Sequence, residues 1–414
     1  MTILKKKMKI LITTSSFPNV RNSISGNFIL DQINNINAYY DDMEFIICSP
    51  GITISSVQEN EKIKIYNFRY FFSKKYENIG VESITDLIKK SKFYYLVLLF
   101  FTLSQLIKVI KITSKEKPDL IYAHWFTPQA VTSFIVSKIY NIPYKITIHS
   151  SDLKILNYYL GSLGKKISKI ILKSSSGITV TSKNIFKSVE LVLNKDELNK
   201  LNLLQYPMGI DSTAIEQVNK NYDVLKLLEP KSKYILYLGR LVEKKGLEDL
   251  IAGFSEFSKL SNYKLIIAGF GNLENKLKRL VKEKNLENEV IFTGKVGLSE
   301  KKVLFKNSDI LIVPSDSLVG LPVSEGMPVT ILEGLYFGKV VIASDQTNCE
   351  DVIEDGVNGF IYKSESAESI TKILNKINKL EKEEVTSISS NALKSSKMYD
   401  SKGSSRIYYE FLKL

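Results

Sequence analysis

Short, uninterrupted apolar runs, each followed by a loop and a helical segment, recur along this 414-residue chain. Few folds accommodate that pattern. In the first half, residues 8–14 (MKILITT), 44–48, 117–123 (KPDLIYA), 144–148 (YKITI) and 177–181 (GITVT) read as strands. The rhythm restarts with residues 234–238 (YILYL), 263–268 (YKLIIA), 290–294 (VIFTG), 309–314 (DILIVP) and 339–344 (KVVIAS). Between these runs, apolar residues fall at helical spacing, as do Phe28, Ile29, Ile33 and Ile36, or Leu247, Leu250, Ile251 and Phe254. Apolar strands that alternate with helices are the pattern of parallel sheets covered on both faces. The expectation is an α/β protein built from two units of similar size. The turn YPMGID (206–211) predicts the boundary, which gives domains 1–210 and 211–390. Residues 391–414 predict a helix returning to the first domain, anchored by Ile407, Tyr408, Phe411 and Leu412.

Charge is distributed as unevenly as the strands are regular. Residues 1–210 carry 28 Lys and Arg against 15 Asp and Glu, whereas residues 211–414 carry 29 of each kind. All of the net +13 therefore lies in the first half. Such asymmetry predicts a face for something anionic, a membrane surface or an acidic polymer, unless it reflects only a coding bias toward lysine. No nucleic-acid motif and no run of arginines accompanies it, so nucleic acid is not expected. Two cysteines far apart, Cys48 and Cys349, build no disulfide framework and fit a reducing cytosol. The start of the chain has a basic flank but only a three-residue apolar run, Ile10–Ile12, and is expected to be a first strand rather than a signal peptide. Residues 61–80 are basic and aromatic and read as a loop on the acceptor side or a membrane-touching patch. The run from Phe93 to Ile112 is apolar but interrupted by Ser104, Gln105, Lys108 and Lys111. It predicts a helix packed under the sheet or lying at a membrane interface, not a span.

Several loops at predicted strand ends carry chemistry. In EGMPVTILEG (325–334), Pro328 suits the first turn of a helix running Val329 to Phe337, with Glu325 before it and Glu333 inside it. The positive end of that helix would lie between two carboxylates, a seat for a phosphate flanked by acceptors for sugar and ribose hydroxyls. A capped surface helix with two solvated glutamates is the other reading. Arg240, Lys244 and Lys245 fall in the loop after strand 234–238. Both histidines of the chain, His124 and His149, fall at the carboxyl ends of predicted parallel strands, where open α/β sheets bind ligands. Gly26, in a small-residue loop before a helix, is either a plain turn glycine or a place where a ligand approaches backbone amides. Gly269 and Gly271 are two glycines of a dinucleotide fingerprint without the third, and no acidic residue ends the next strand, so a dehydrogenase is not expected.

With these residues in place, the chain resembles the family 4 retaining glycosyltransferases of GT-B architecture, most strongly from Leu238 to Gly359. GRLVEKKG (239–246), EGMPVTILEG, GKVVIAS (338–344) and EDGVNGFIY (354–362) carry the likeness. SGNF (25–28), AHWFTPQA (123–130) and IHSSD (148–152) add weaker signatures, and AHWF is similar to transferases of cell-wall and surface-polysaccharide assembly. The resemblance implies two Rossmann-like parallel-sheet domains facing across a cleft, an acceptor side in 1–210 and a nucleotide-sugar donor domain in 211–390. It implies that Arg240 and Lys245 hold the leaving diphosphate, next to Gly239. Glu333 would bind the ribose, and Glu325, with Gly326, Met327 and Pro328, the donor sugar. His149 would contact the sugar from the opposite domain, Asp152 would steady that loop, and Gly26 would lie against the phosphates. Ser150, Lys339 and the loop QTNCE (346–350) depart from the family pattern. No Asp-x-Asp metal cradle is present, so two fixed cations would do the work of a metal, and no cofactor is expected. The expected partners are a UDP- or GDP-linked sugar and a glycan or lipid-linked acceptor, handled in the cytoplasm or peripherally at the inner membrane face. A non-catalytic glycan-binding or chaperoning subunit of the same fold is the alternative.

Overall fold

The computed structural model describes residues 6–21, 26–53, 62–82, 84–150, 152–217, 226–229, 232–316, 326–364 and 366–413. The chain divides into two compact units, Met1–Met208 with Ser404–Leu414, and Gly209–Gly403.

The first unit is a seven-stranded, all-parallel sheet. Its strands are β1 (Met8–Thr13), β2 (Met43–Pro50), β3 (Ile63–Phe68), β4 (Leu120–His124), β5 (Tyr144–Ile148), β6 (Gly177–Val180) and β7 (Leu203–Gln205). They lie in the order β3-β2-β1-β4-β5-β6-β7. Its helices are α1 (Asn27–Tyr39), α2 (Ile84–Lys90), α3 (Tyr94–Glu116), α4 (Val131–Tyr140), α5 (Asp152–Ser174), α6 (Lys183–Glu190) and α7 (Lys195–Leu198). Every residue of β4 and β5 is buried, as expected where helices cover both faces. Strand order reverses direction between β1 and β4, so the loops leaving those two strands diverge and open a crevice at their carboxyl ends.

The second unit repeats the plan with six parallel strands. These are β8 (Lys233–Leu238), β9 (Tyr263–Ala268), β10 (Val290–Gly294), β11 (Ile310–Val313), β12 (Val340–Ser344) and β13 (Phe360–Tyr362), in the order β10-β9-β8-β11-β12-β13. Helices α8 (Ser212–Gln217), α9 (Leu247–Ser258), α10 (Glu274–Glu283), α11 (Leu298–Asn307), α12 (Val329–Tyr336), α13 (Ala367–Asn378) and α14 (Lys382–Ser396) accompany them. Here the reversal falls between β8 and β11.

A final helix, α15 (Ser401–Lys413), carries the chain back into the first unit. Phe411, Tyr408 and Leu412 are buried there. The Tyr408 hydroxyl lies 3.3 Å from the carbonyls of Tyr206 and Pro207. From β5, the buried Lys145 donates to the Phe411 carbonyl and sits 4.8 Å from the centre of that ring. Burial pushes the Lys145 ammonium down to about 8. The carbonyl at the helix C-terminus supplies the negative end that a buried cation needs.

Two local expectations are corrected. Residues 63–68, within the segment read as a loop or membrane patch, form the edge strand β3, paired with β2 over Ile63–Phe68. Lysine and asparagine interrupt its apolar pattern because one edge faces solvent. Pro328 stands at the N-cap of α12, φ −67° and ψ 128°, one residue before the first turn, and the helix ends at Tyr336 rather than Phe337. Both cysteines are buried thiols, pushed up to about 12 by burial.

Phe411→Ala removes an aromatic ring that nothing else can replace. It should lower the stability of the first unit by about 3–5 kcal/mol. Urea unfolding followed by probes in each unit should show the first transition move and the second stay.

Candidate functional site

In the second unit, the loop leaving β8 is held by backbone contacts on both sides. Gly239 N–H donates to the Ala268 carbonyl (3.0 Å), Leu241 N–H to that of Phe270 (3.0 Å), and Leu273 N–H returns to Leu241 O (3.1 Å). The loops after β8 and β9 thus run side by side. A Cβ on Gly269 would lie 1.8 Å from Gly239 O, and one on Gly271 would lie 2.2 Å from Leu241 O. The two glycines that look like a partial dinucleotide fingerprint are therefore there to let two backbones touch. On the other side, Gly246 (φ 62°) would place a Cβ 2.0 Å from Pro314 O, and Asp316 N–H donates to Lys244 O (3.0 Å). The segment between these clamps carries Arg240 and Lys245, both half-buried, and delivers the chain into α9 at Gly246. The Tyr237 hydroxyl donates to the Arg240 carbonyl (2.7 Å), which fixes the residue after Gly239.

The loop leaving β11 ends in half-buried Gly326, buried Met327 and half-buried Pro328, from which α12 starts. Glu325 lies outside the described residues. Gly334 lets α12 settle on β11, since a Cβ there would come within 2.5 Å of Leu311. Glu333, 6% exposed, points one carboxylate oxygen at Lys301 of α11 (2.7 Å). Its other oxygen, Oε2, is buried with no hydrogen-bond partner among the described residues. A buried carboxylate oxygen left open is costly unless a donor arrives, which makes this atom a candidate acceptor for a ligand hydroxyl or amide. Lys301 carries no signal in the sequence. It is one of several lysines in a polar helix, and only the fold sets it beside Glu333.

In the first unit, a second group gathers at the carboxyl ends of β1, β4 and β5. His124 is the last residue of β4 and His149 follows β5. Their rings are stacked, with His124 Nδ1 3.0 Å from His149 Nε2. Phe28, in the first turn of α1, packs 5.0 Å from the His149 ring, and Trp125 packs 4.8 Å from it. Gly26 (φ 69°) precedes α1, and a Cβ there would strike Ser16 O at 2.2 Å, so its own fold already requires a glycine. Asp152 opens α5 and is buried. Its carboxylate accepts from Phe126 N–H (2.5 Å) and Ser150 N–H (3.0 Å), tying the loops after β4 and β5 together. Burial pushes Asp152 up to about 6 against these amides, pushes His149 down to about 3, and takes His124 well below the usual range.

Both imidazoles are thus neutral, and one of the facing nitrogens donates. His124 Nε2 is buried without a partner among the described residues. A bare ring nitrogen there is less costly than an orphaned N–H. His124 therefore donates from Nδ1, and His149 accepts at Nε2 and carries its proton on Nδ1. Fixing one nitrogen through the other is how a histidine's hydrogen-bonding role is set. The sequence marks both histidines as strand-end candidates and gives a role only to His149, because neighbouring strand ends do not reveal the ring-to-ring contact with His124.

The pH dependence follows. Between about 6.5 and 3 the unfolded chain binds protons at two histidines that the folded chain leaves neutral, so stability falls on acidification through that window. Asp152 acts in the opposite sense between about 4 and 6, by at most one proton. The wild-type melting temperature should drop from pH 7 to pH 5, and less steeply in His149→Gln. The His149 imidazole 15N resonances should report a neutral Nδ1–H ring throughout.

Residues 220–395 match the family described as glycosyl transferases group 1. A glycosyltransferase of Methanocaldococcus jannaschii, itself uncharacterized, is 24% identical over 77% of this chain and 81% of its own length. The alpha-monoglucosyldiacylglycerol synthase of Streptococcus pneumoniae is 24% identical over 62% of this chain and 59% of its own. Among solved structures, the Anabaena protein HepE in complex with UDP and glucose superposes with a TM-score of 0.71 at 19% identity, over 98% of this chain and 99% of that one. A glycosyltransferase of Rickettsia africae gives a TM-score of 0.73 at 19% identity, over 98% and 99%. Two all-parallel sheets with the same reversal of strand order give the chain the GT-B fold, and within it residues 220–395 match the glycosyl transferases group 1 model.

Proposed function

We infer that this protein transfers a sugar from a nucleoside diphosphate sugar to a glycan or lipid-linked acceptor, with retention of anomeric configuration and without a metal ion. The observation that carries the reading is the open Oε2 of buried Glu333, on the helix that follows β11, whose exit at Pro314 and Asp316 clamps the Arg240–Lys245 loop. A ribose hydroxyl is the donor that this oxygen lacks. Solved structures of the Anabaena protein contain UDP, UDP with glucose, and UDP-glucose, and a UDP-linked donor is the first choice here, GDP the second.

Breaking the sugar–phosphate bond leaves positive charge on the anomeric carbon and negative charge on the departing diphosphate. Arg240 and Lys245 stabilise that diphosphate, close to the amides of Gly239. The N-terminus of α12, behind Gly326, Met327 and Pro328, adds positive potential. Glu325 accepts from sugar hydroxyls. The neutral His149, proton on Nδ1, donates to a sugar oxygen, with Asp152 holding its loop. Gly26 keeps the turn before α1 in place. In the transfer itself the acceptor oxygen attacks the anomeric carbon on the face the diphosphate leaves. The C–O bond to phosphate breaks, and the acceptor proton passes to the leaving phosphate oxygen. In this reading the acceptor is a surface polysaccharide or lipid-linked glycan, and the place of work is the cytoplasmic side of the membrane.

Thermal unfolding against UDP, GDP and their sugars, with and without chelator, tests the donor. A ligand at 100 times its dissociation constant should add about 2.7 kcal/mol, unchanged by chelator. Lys245→Ala and Arg240→Ala should each lower turnover by about 10²–10³ while the fold persists. Glu333→Ala should weaken nucleoside diphosphate binding. A folded protein that no nucleotide stabilises would instead be a non-catalytic glycan-binding subunit.

A further inference from the structure

Helix α3 is apolar on two opposite sides, and only one of them is covered. Val97, Phe101, Val109 and Ile112 form the buried stripe, in the core of the first unit. Leu96, Leu99, Leu103 and Ile107, at spacings of three and four, form a second stripe that is 44–55% exposed. A helix hydrophobic all round belongs in a core or against lipid, and this one is long and apolar enough to cross a membrane by length and composition. Its buried stripe rules out crossing, because that face is already packed against the sheet.

The exposed stripe does not stand alone. Tyr95 meets Tyr159 of α5 edge to face at 5.6 Å, and Tyr158, Leu160 and Leu163 of α5 are 46–57% exposed around it. At the N-terminal end, Phe72 is 85% exposed and touches Phe100. Charge along the two helices is mainly positive, with Glu77, held by the Tyr70 and Phe71 amides, and Glu190, beside Lys165 and Lys166, at the margins. No acidic residue occurs between Asp86 and Glu116, or between Asp152 and Glu190. Exposed Lys74, Lys75 and Lys92 flank one end of the stripe and Lys111 the other, while Lys165 and Lys166 continue along α5. Aromatic and leucine side chains bordered mainly by lysines match an interfacial helix pair on negatively charged lipid.

We propose that the exposed faces of α3 and α5 together dock the first unit on an anionic bilayer surface, with the leucine stripe entering the acyl boundary and the lysines meeting headgroup phosphates. This deepens the reading of the acceptor as lipid-linked and rests on that reading for its purpose. A second copy of the chain could cover the leucines, but it would bring its own lysines against these.

Flotation of the full-length protein with vesicles tests the surface. The wild type should float with vesicles of phosphatidylglycerol and phosphatidylcholine, not with phosphatidylcholine alone, and the bound fraction should fall as salt shortens the screening length to roughly 3 Å near 1 M. Leu99→Glu with Leu103→Glu, and separately Lys165→Glu with Lys166→Glu, should each reduce binding about tenfold or more, through the acyl and headgroup contacts respectively. Both variants should keep the wild-type circular dichroism and nucleotide-induced thermal shift. Absence of flotation with anionic vesicles at low salt overturns the proposal, as does binding by both variants at the wild-type level. So does a lipid-free dimer that the leucine variant abolishes, which would assign the face to a second copy. Vesicle binding without any nucleotide effect would leave this surface standing and remove the transferase reading. The reverse result would do the opposite.

Discussion

Backbone-to-backbone contact at the carboxyl edge of the second sheet is the constraint on which the candidate donor site depends. Gly239 against Gly269, Leu241 against Gly271, and Gly246 against Pro314 are approaches that any Cβ would block. They set the exits of β8, β9 and β11 in contact, and so define where Arg240 and Lys245 can be. Gly246 and Gly269 also have φ values of 62° and 147°, which L side chains rarely adopt. A flexible basic loop would lose much of its effect in ordering itself around a diphosphate. This one is ordered by its neighbours beforehand, which is what electrostatic stabilisation of a leaving group requires.

Around that frame, buried polar groups differ in how fully the protein itself satisfies them. Glu333 spends one oxygen on Lys301 and keeps one. His149 uses Nε2 for His124. Asp152 is the contrast. Both of its oxygens are taken by backbone amides, from Phe126 and from Ser150, and it joins two loops rather than facing a ligand. Lys339, a departure from the family pattern, is likewise structural, since its ammonium donates to Ser308 O at 2.8 Å. The distinction between half-open and fully used groups separates candidate ligand contacts from supports, and no residue type makes it alone.

How much of this was legible follows from the range of each signal. Strands covered on both faces appear as continuous apolar runs, so both sheets could be read directly. β3 could not, because an edge strand mixes Lys64 and Asn67 into its pattern, and β7 and β13, at three residues each, are too short for any period. The basic loop and the helix with Glu333 were visible because their residues are contiguous. The reason for Gly269 and Gly271 was not, since it lies thirty residues upstream. Lys301 with Glu333, and His124 with His149, are pairings across elements that only strand order brings together. The exposed stripe of α3 was invisible for a related reason. Sequence shows an apolar helix, and only packing shows which of its two apolar sides remains uncovered.

The chain passes between its two units twice, after Met208 and after Gly403, and each crossing is tied to the other at both ends. Within the first unit, the Tyr408 hydroxyl binds the carbonyls of Tyr206 and Pro207. Within the second, Ile210 N–H donates to Tyr399 O (2.9 Å), and Ser212 and Ser401 share a hydrogen bond (3.1 Å). The connection is therefore a pair of strapped segments rather than a single free linker. The buried Lys145 at the end of α15 then acquires its meaning. By holding the Phe411 carbonyl it keeps the end of α15 seated in the first unit.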